Sequence, residues 1–210
     1  MPSVTFHPNC DQDERLAQTT CQQEDAENEE EEVVSHRKRP NILVTGTPGV
    51  GKTCTASRIA EKLSITHINV GEIIQLHKCY DGYDDELQTH ILDEDALLDI
   101  LEPLIATEEG GRIVDYHSCE LFPQRWFDLV LVLRADTHVL YDRLTLRGYN
   151  ARKRDENMEC EIMGVLYDEA TNSYDPDIVQ QVQSNDLHNL DDTVRRVQLW
   201  YDQWILNHAT

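Results

Sequence analysis

Thirteen residues, Asn41 to Thr53 (NILVTGTPGVGKT), constrain this chain more than any other stretch. The apolar, β-branched run Ile42-Leu43-Val44-Thr45 leads straight into Gly46-Thr47-Pro48-Gly49-Val50-Gly51-Lys52-Thr53, which has the phosphate-loop spacing G-x-x-x-x-G-K-[ST]. The run reads as a buried parallel strand. The glycines permit backbone angles that turn consecutive N–H groups toward one point, and the positive end of a helix starting near Gly51 completes an anion cradle. In such a cradle Lys52 reaches the β- and γ-phosphates of a nucleoside triphosphate, and the Thr53 hydroxyl ligates Mg²⁺.

Beyond the loop, strand and helix patterns alternate. The spacing predicts helices over 51–63, 72–78, 93–107 (Asp93 as cap), 137–147 (Thr137 as cap), 160–170 and 191–205. Strands are predicted at 67–70, 112–115, 129–133 and 178–182, and Leu129 to Leu133 (LVLVL) is uniformly apolar, as a strand covered on both faces should be. That alternation implies an α/β fold, a parallel sheet flanked by helices. The stretch 149–157 is polar and aperiodic and reads as a mobile loop.

Three further groups are candidates for chemistry. Asp115 ends an apolar strand, which puts its carboxylate at the carboxyl edge of the sheet, where it can hold Mg²⁺ through water. It is equally a residue type that forms turns. His117, two residues on, falls on the same side of an extended backbone, either to orient a phosphoryl acceptor or water, or as a hydrogen-bonded loop residue. Arg143 and Arg147, one helical turn apart, precede a loop carrying Arg152, Lys153 and Arg154. Such guanidiniums neutralise phosphoryl oxygens in transfer, and also suit a solvated helix end.

Composition narrows the partners. The formal net charge is −22, of which −6 lies in residues 1–39. An acidic body repels bare nucleic acid, so direct nucleic-acid binding is not expected and a basic protein partner is. Residues 1–38 hold the acidic run Glu27 to Glu32, broken only by Asn28, and too few aliphatics to offset ordering entropy, so this tail is expected to be disordered. His36-Arg37-Lys38-Arg39-Pro40 has the charge of a short nuclear-import signal or of a solvated lead-in. Six scattered cysteines without a C-x-x-C pair suggest reduced thiols. No secretory signal or apolar run of about 20 residues is read, so no membrane contact is expected.

Taken with INVGE, YDGYD, ILDED, IVDYHSC, FPQRWFD, VLYDRL, RGYN, CEI, YDEAT and WYDQWI, the phosphate loop makes the chain from Asn41 to about Ile205 resemble the adenylate kinase isoenzyme 6 family. That family is also described as a coilin-interacting nuclear ATPase and small-subunit ribosome assembly factor. The resemblance implies a P-loop nucleoside monophosphate kinase fold over 39–210, with a monophosphate-binding segment at 69–92 and a lid at 146–156. It implies γ-phosphate transfer from ATP to AMP, an ATPase activity serving small-subunit maturation with a basic ribosomal protein as partner, and a location in nucleus and cytoplasm. By position, Gly49, Gly51, Lys52, Thr53, Cys54 and Arg147 contact ATP, Asp115 and His117 match the family's D-x-H pair, and Asn185 lies near the adenine. Mg²⁺ is held by Thr53 and Asp115.

The chain departs from adenylate kinases in three places. Gln75 stands where an arginine meets the AMP phosphate, with Arg125 as a candidate substitute. Asp186 replaces an expected lysine, and no second lid arginine pair follows Arg154. These departures favour slow transfer or hydrolysis. No N-K-x-D stretch reads guanine, so adenine is expected.

Overall fold

The computed structural model describes residues 37–84 and 89–209. At its centre β1 (Ile42–Gly46) is buried throughout, because β5 (Arg112–Asp115) and β6 (Leu129–Arg134) pair with it in parallel on either side. β2 (Thr66–Asn69) and β7 (Val179–Gln183) extend the sheet to the order β2-β5-β1-β6-β7, parallel at every junction.

The two-residue period of β6 decides what each face meets. Leu129, Leu131 and Leu133 pack with Ala56 and Ile59 of α1 (Lys52–Leu63), Leu140 and Leu144 of α4 (Thr137–Leu146), and Val194 and Val197 of α7 (Leu187–His208). Val130 and Val132 pack on the other face with Val70 of α2 (Val70–His77), Leu97, Leu101 and Ile105 of α3 (Glu94–Ile105), and Leu166 and Ala170 of α6 (Val165–Ser173). Burying each of the Val, Leu and Ile side chains is worth about 1.5–3 kcal/mol, which is why a continuous apolar run makes a central strand.

Several elements depart from the sequence reading. Most of the stretch read as a loop at 149–157 is the start of α5 (Ala151–Met163). Its apolar stripe is nearly absent, so periodicity could not reveal it. The helix is held instead by its ends and surface. The Asn150 side chain accepts from Lys153 N (2.8 Å), Arg152 pairs with Glu156 at i,i+4, and Arg154 lies over the Tyr141 ring. α7 starts at Leu187 rather than Asp191 because Asp186 caps it, accepting from Asn189 N. Asp136, not Thr137, occupies the cap position of α4. An antiparallel pair, β3 (Tyr80–Asp84) and β4 (Thr89–Leu92), escaped the sequence reading; it is reinforced by Tyr80 stacked on His90.

At the amino edge of the sheet, Asn41 is fully buried and fully used. Its Nδ2 donates to Ile105 O and Trp126 O, its Oδ1 accepts from Arg112 N, and its N–H donates to Asp128. Arg37, assigned to the tail from sequence, is buried here against Asp128 (3.1 Å), and Arg39 donates to Tyr201 Oη and two carbonyls of the α1 terminus. The basic lead-in is therefore docked rather than solvated. The expectation of disorder over the tail up to His36 lies outside the described residues.

Candidate active site

The site lies at the opposite, carboxyl edge, where β1 runs out into the phosphate loop. Gly46 has φ +138°, and a Cβ there would sit 2.5 Å from Leu133 O, so the turn into the loop demands glycine. Gly49 and Gly51 also have positive φ, and α1 begins at Lys52 as the motif requires. The Lys52 ammonium crosses the loop to donate to Gly46 O (2.7 Å) and Thr47 O (3.2 Å). Burial lowers its pKa from 10.5 to about 8; the Asp115 charge pulls upward, Arg147 downward, and Glu161 upward. Asp115 and Arg147 are thus each within electrostatic reach of Lys52. Thr53 and Cys54 are exposed in the first turn of α1.

Asp115 ends β5 with its carboxylate buried, and His67 Nε2 on the adjacent β2 lies 3.0 Å from Asp115 Oδ2. Sequence reasoning missed His67: the register that sets β2 beside β5 cannot be read from a single four-residue strand. His117, two residues beyond the end of β5, lies within electrostatic reach of Lys52. Desolvation, then the Lys52 charge, hold the His117 pKa below that of a free imidazole, so the ring is neutral at neutral pH.

A groove of about 500 Å³ opens beside the loop, lined by Gly51, Cys54, Thr55, Arg147, Ser184 and Asp186 among others. Arg147 is exposed at the end of α4. Arg143, paired with it in the sequence reading, lines the same groove, but its guanidinium is spent on Val50 O, Ser184 O and Asn185 O, bracing the loop against the β7–α7 turn. Asn185 stands between two groove residues, but its side-chain oxygen accepts from Asp136 N (2.7 Å). Gln75 is exposed on α2, and Arg125 cannot replace the missing arginine. It sits at the amino edge, four residues before β6, paired with Glu102.

A second missed residue is Glu161. It is buried on α5 with Oε2 2.5 Å from Thr47 Oγ1 and Oε1 accepting from Arg134 Nε (2.8 Å) and Ala135 N (2.9 Å). The only sequence cue was a carboxylate set between Cys160 and Ile162.

Residues 42–164 match the AAA domain family. The chain is 47% identical over 161 residues to the adenylate kinase isoenzyme 6 homolog of Caenorhabditis elegans, covering 77% of this chain and 88% of that protein. It is 45% identical to the homolog of Dictyostelium discoideum (80% and 95% covered) and 43% to that of Saccharomyces cerevisiae (83% and 88% covered). The chain belongs to the adenylate kinase isoenzyme 6 family. Membership and the phosphate loop together make it a P-loop nucleotide kinase or ATPase, a class that uses ATP with Mg²⁺. The donor set suits that ion: a threonine hydroxyl and a carboxylate with a lone pair to spare beyond His67 are hard oxygen ligands.

Proposed function

We propose that this adenylate kinase isoenzyme 6 family member transfers the γ-phosphate of ATP to AMP, with other nucleoside monophosphates as further acceptors, and also hydrolyses ATP in small ribosomal subunit maturation. The observation that carries the proposal is the Lys52 ammonium held across the phosphate loop with Asp115 and Arg147 in electrostatic reach. Lys52 exchanges its two carbonyl contacts for the β- and γ-phosphates. Arg147, exposed at the groove, neutralises charge on the moving phosphoryl group, and Cys54, Gly49 and Gly51 border the nucleotide. Thr53 and Asp115 would hold Mg²⁺, which would supply charge neutralisation at the phosphate oxygens. His67 fixes the Asp115 carboxylate, while the neutral His117 ring orients the acceptor or a water molecule. The α5 end bearing Arg152, Lys153 and Arg154 acts as the lid.

A second reading, in which hydrolysis is the main activity and gates ribosome assembly, is favoured by Gln75 and by the distance of Arg125 from the site. It brings with it a basic small-subunit ribosomal protein, drawn by the net charge of −22, and a nuclear and cytoplasmic location. One assay separates the two: ADP and inorganic phosphate are followed as AMP is varied. Transfer gives ADP that rises with AMP without matching phosphate; phosphate release indifferent to AMP leaves hydrolysis as the function.

A further inference from the structure

Glu161 does two jobs with two oxygens. Oε1 takes both Arg134 Nε and Ala135 N at the end of β6, and the Arg134 guanidinium also donates to the Glu161 main-chain carbonyl. That clamp alone would secure the last turn of α5 to the sheet. Oε2 is spent on something else, the hydroxyl of Thr47, the second residue of the phosphate loop. The Thr47 carbonyl is in turn one of the two that hold Lys52. An unbroken chain of contacts therefore runs from α5 through Glu161 and Thr47 to the loop lysine.

We propose that Glu161 is a positioning residue of the phosphate site: through Thr47 it ties the shape of the loop to the placement of α5, so that nucleotide at the loop and the attitude of this helix report on each other. The inference rests on the phosphate-transfer reading above. Three features support the coupling role over a purely structural one. The carboxylate is 4% exposed, so its bond to Thr47 is shielded from competing water. Removing the Thr47 hydroxyl would leave the Arg134 clamp intact, so α5 stays fastened to β6 without that contact. The opposite end of α5 carries Arg152, Lys153 and Arg154, and the eight helical steps from Lys153 to Glu161 span about 12 Å of rigid helix. A small rotation at the clamp is thereby magnified where the cations sit.

Thr47→Val removes the hydroxyl and keeps the shape; Thr47→Ser restores it. In the wild type, adding ATP with Mg²⁺ is expected to slow amide exchange in the loop and also in 157–163 of α5. In Thr47→Val the α5 protection is expected to vanish, and KM for ATP to rise on the order of tenfold with kcat changed much less, as loss of one hydrogen bond to a charged group allows. Thr47→Ser returns both toward wild type. The protection is a difference measured within each protein, so a lowered melting temperature does not mimic it, and a merely less folded variant would lose kcat with KM unchanged. Thr47→Val with wild-type KM and wild-type α5 protection overturns the inference alone. A wild type that binds no ATP in Mg²⁺ overturns the phosphate reading and the inference with it.

Discussion

Lys52 carries its charge where burial resists it, and this has a pH signature. The free protein releases the Lys52 proton near pH 8, whereas the unfolded chain keeps it to about 10.5. Between those values the unfolded state binds more protons, so this group's contribution to stability rises with pH. Phosphate affinity moves the other way, since the neutral amine attracts no anion. kcat/KM for ATP, which reports the free enzyme, is therefore expected to fall through an apparent pKa of about 8, while kcat holds to higher pH because bound triphosphate retains the proton. A kcat/KM profile flat to pH 10 contradicts the assignment. Residues at this scale were legible where the motif lists them consecutively, as with Gly46 to Thr53. His67 and Glu161 were not, because their partners lie 48 and 114 positions away, and no local pattern announces a partner on another element.

Among the elements, α5 is the instructive one. β6 announced itself because burial on both faces selects an unbroken apolar run. α5 buries only Met158 and Glu161, so its helicity rests on capping and surface pairs that hydrophobic periodicity does not register. That gives a direct test. Asn150→Ala removes the cap at a cost of about 1 kcal/mol, felt locally, so amide exchange at 152–154 should speed up roughly fivefold while the melting temperature scarcely moves. Unchanged exchange there would mean that packing on α4, through Arg154 and Tyr141, holds the first turn unaided. The β3–β4 pair was missed for a related reason: two short strands that bury little of the main core leave no strong alternation.

For the molecule as a whole, the parallel sheet was legible in the alternation of strands and helices, but the way the basic lead-in fastens its amino edge was not. A run of charge normally reads as solvated, and burial of Arg37 is made tolerable by the Asp128 counter-charge, brought up by the start of β6, and by the Arg125 carbonyl, to which the guanidinium also donates. Asp128→Ala leaves that guanidinium without a counter-charge and is expected to cost about 3–5 kcal/mol, lowering the melting temperature by roughly 6–20 °C. Lys38→Ala breaks only an exposed pair with Glu109 and should change stability by less than about 1 kcal/mol. Neither should alter ATP kinetics below the transition, since this edge is remote from the loop; equal melting temperatures for the two variants would contradict the clasp. The claim on which everything else depends is that the loop, Lys52 and Asp115 together grip a magnesium triphosphate. Calorimetric titration of the intact protein with ATP measures this directly. Binding that strengthens with Mg²⁺ and drops on the order of a hundredfold or more in Lys52→Met is expected; affinity indifferent to both the metal and the substitution would contradict it.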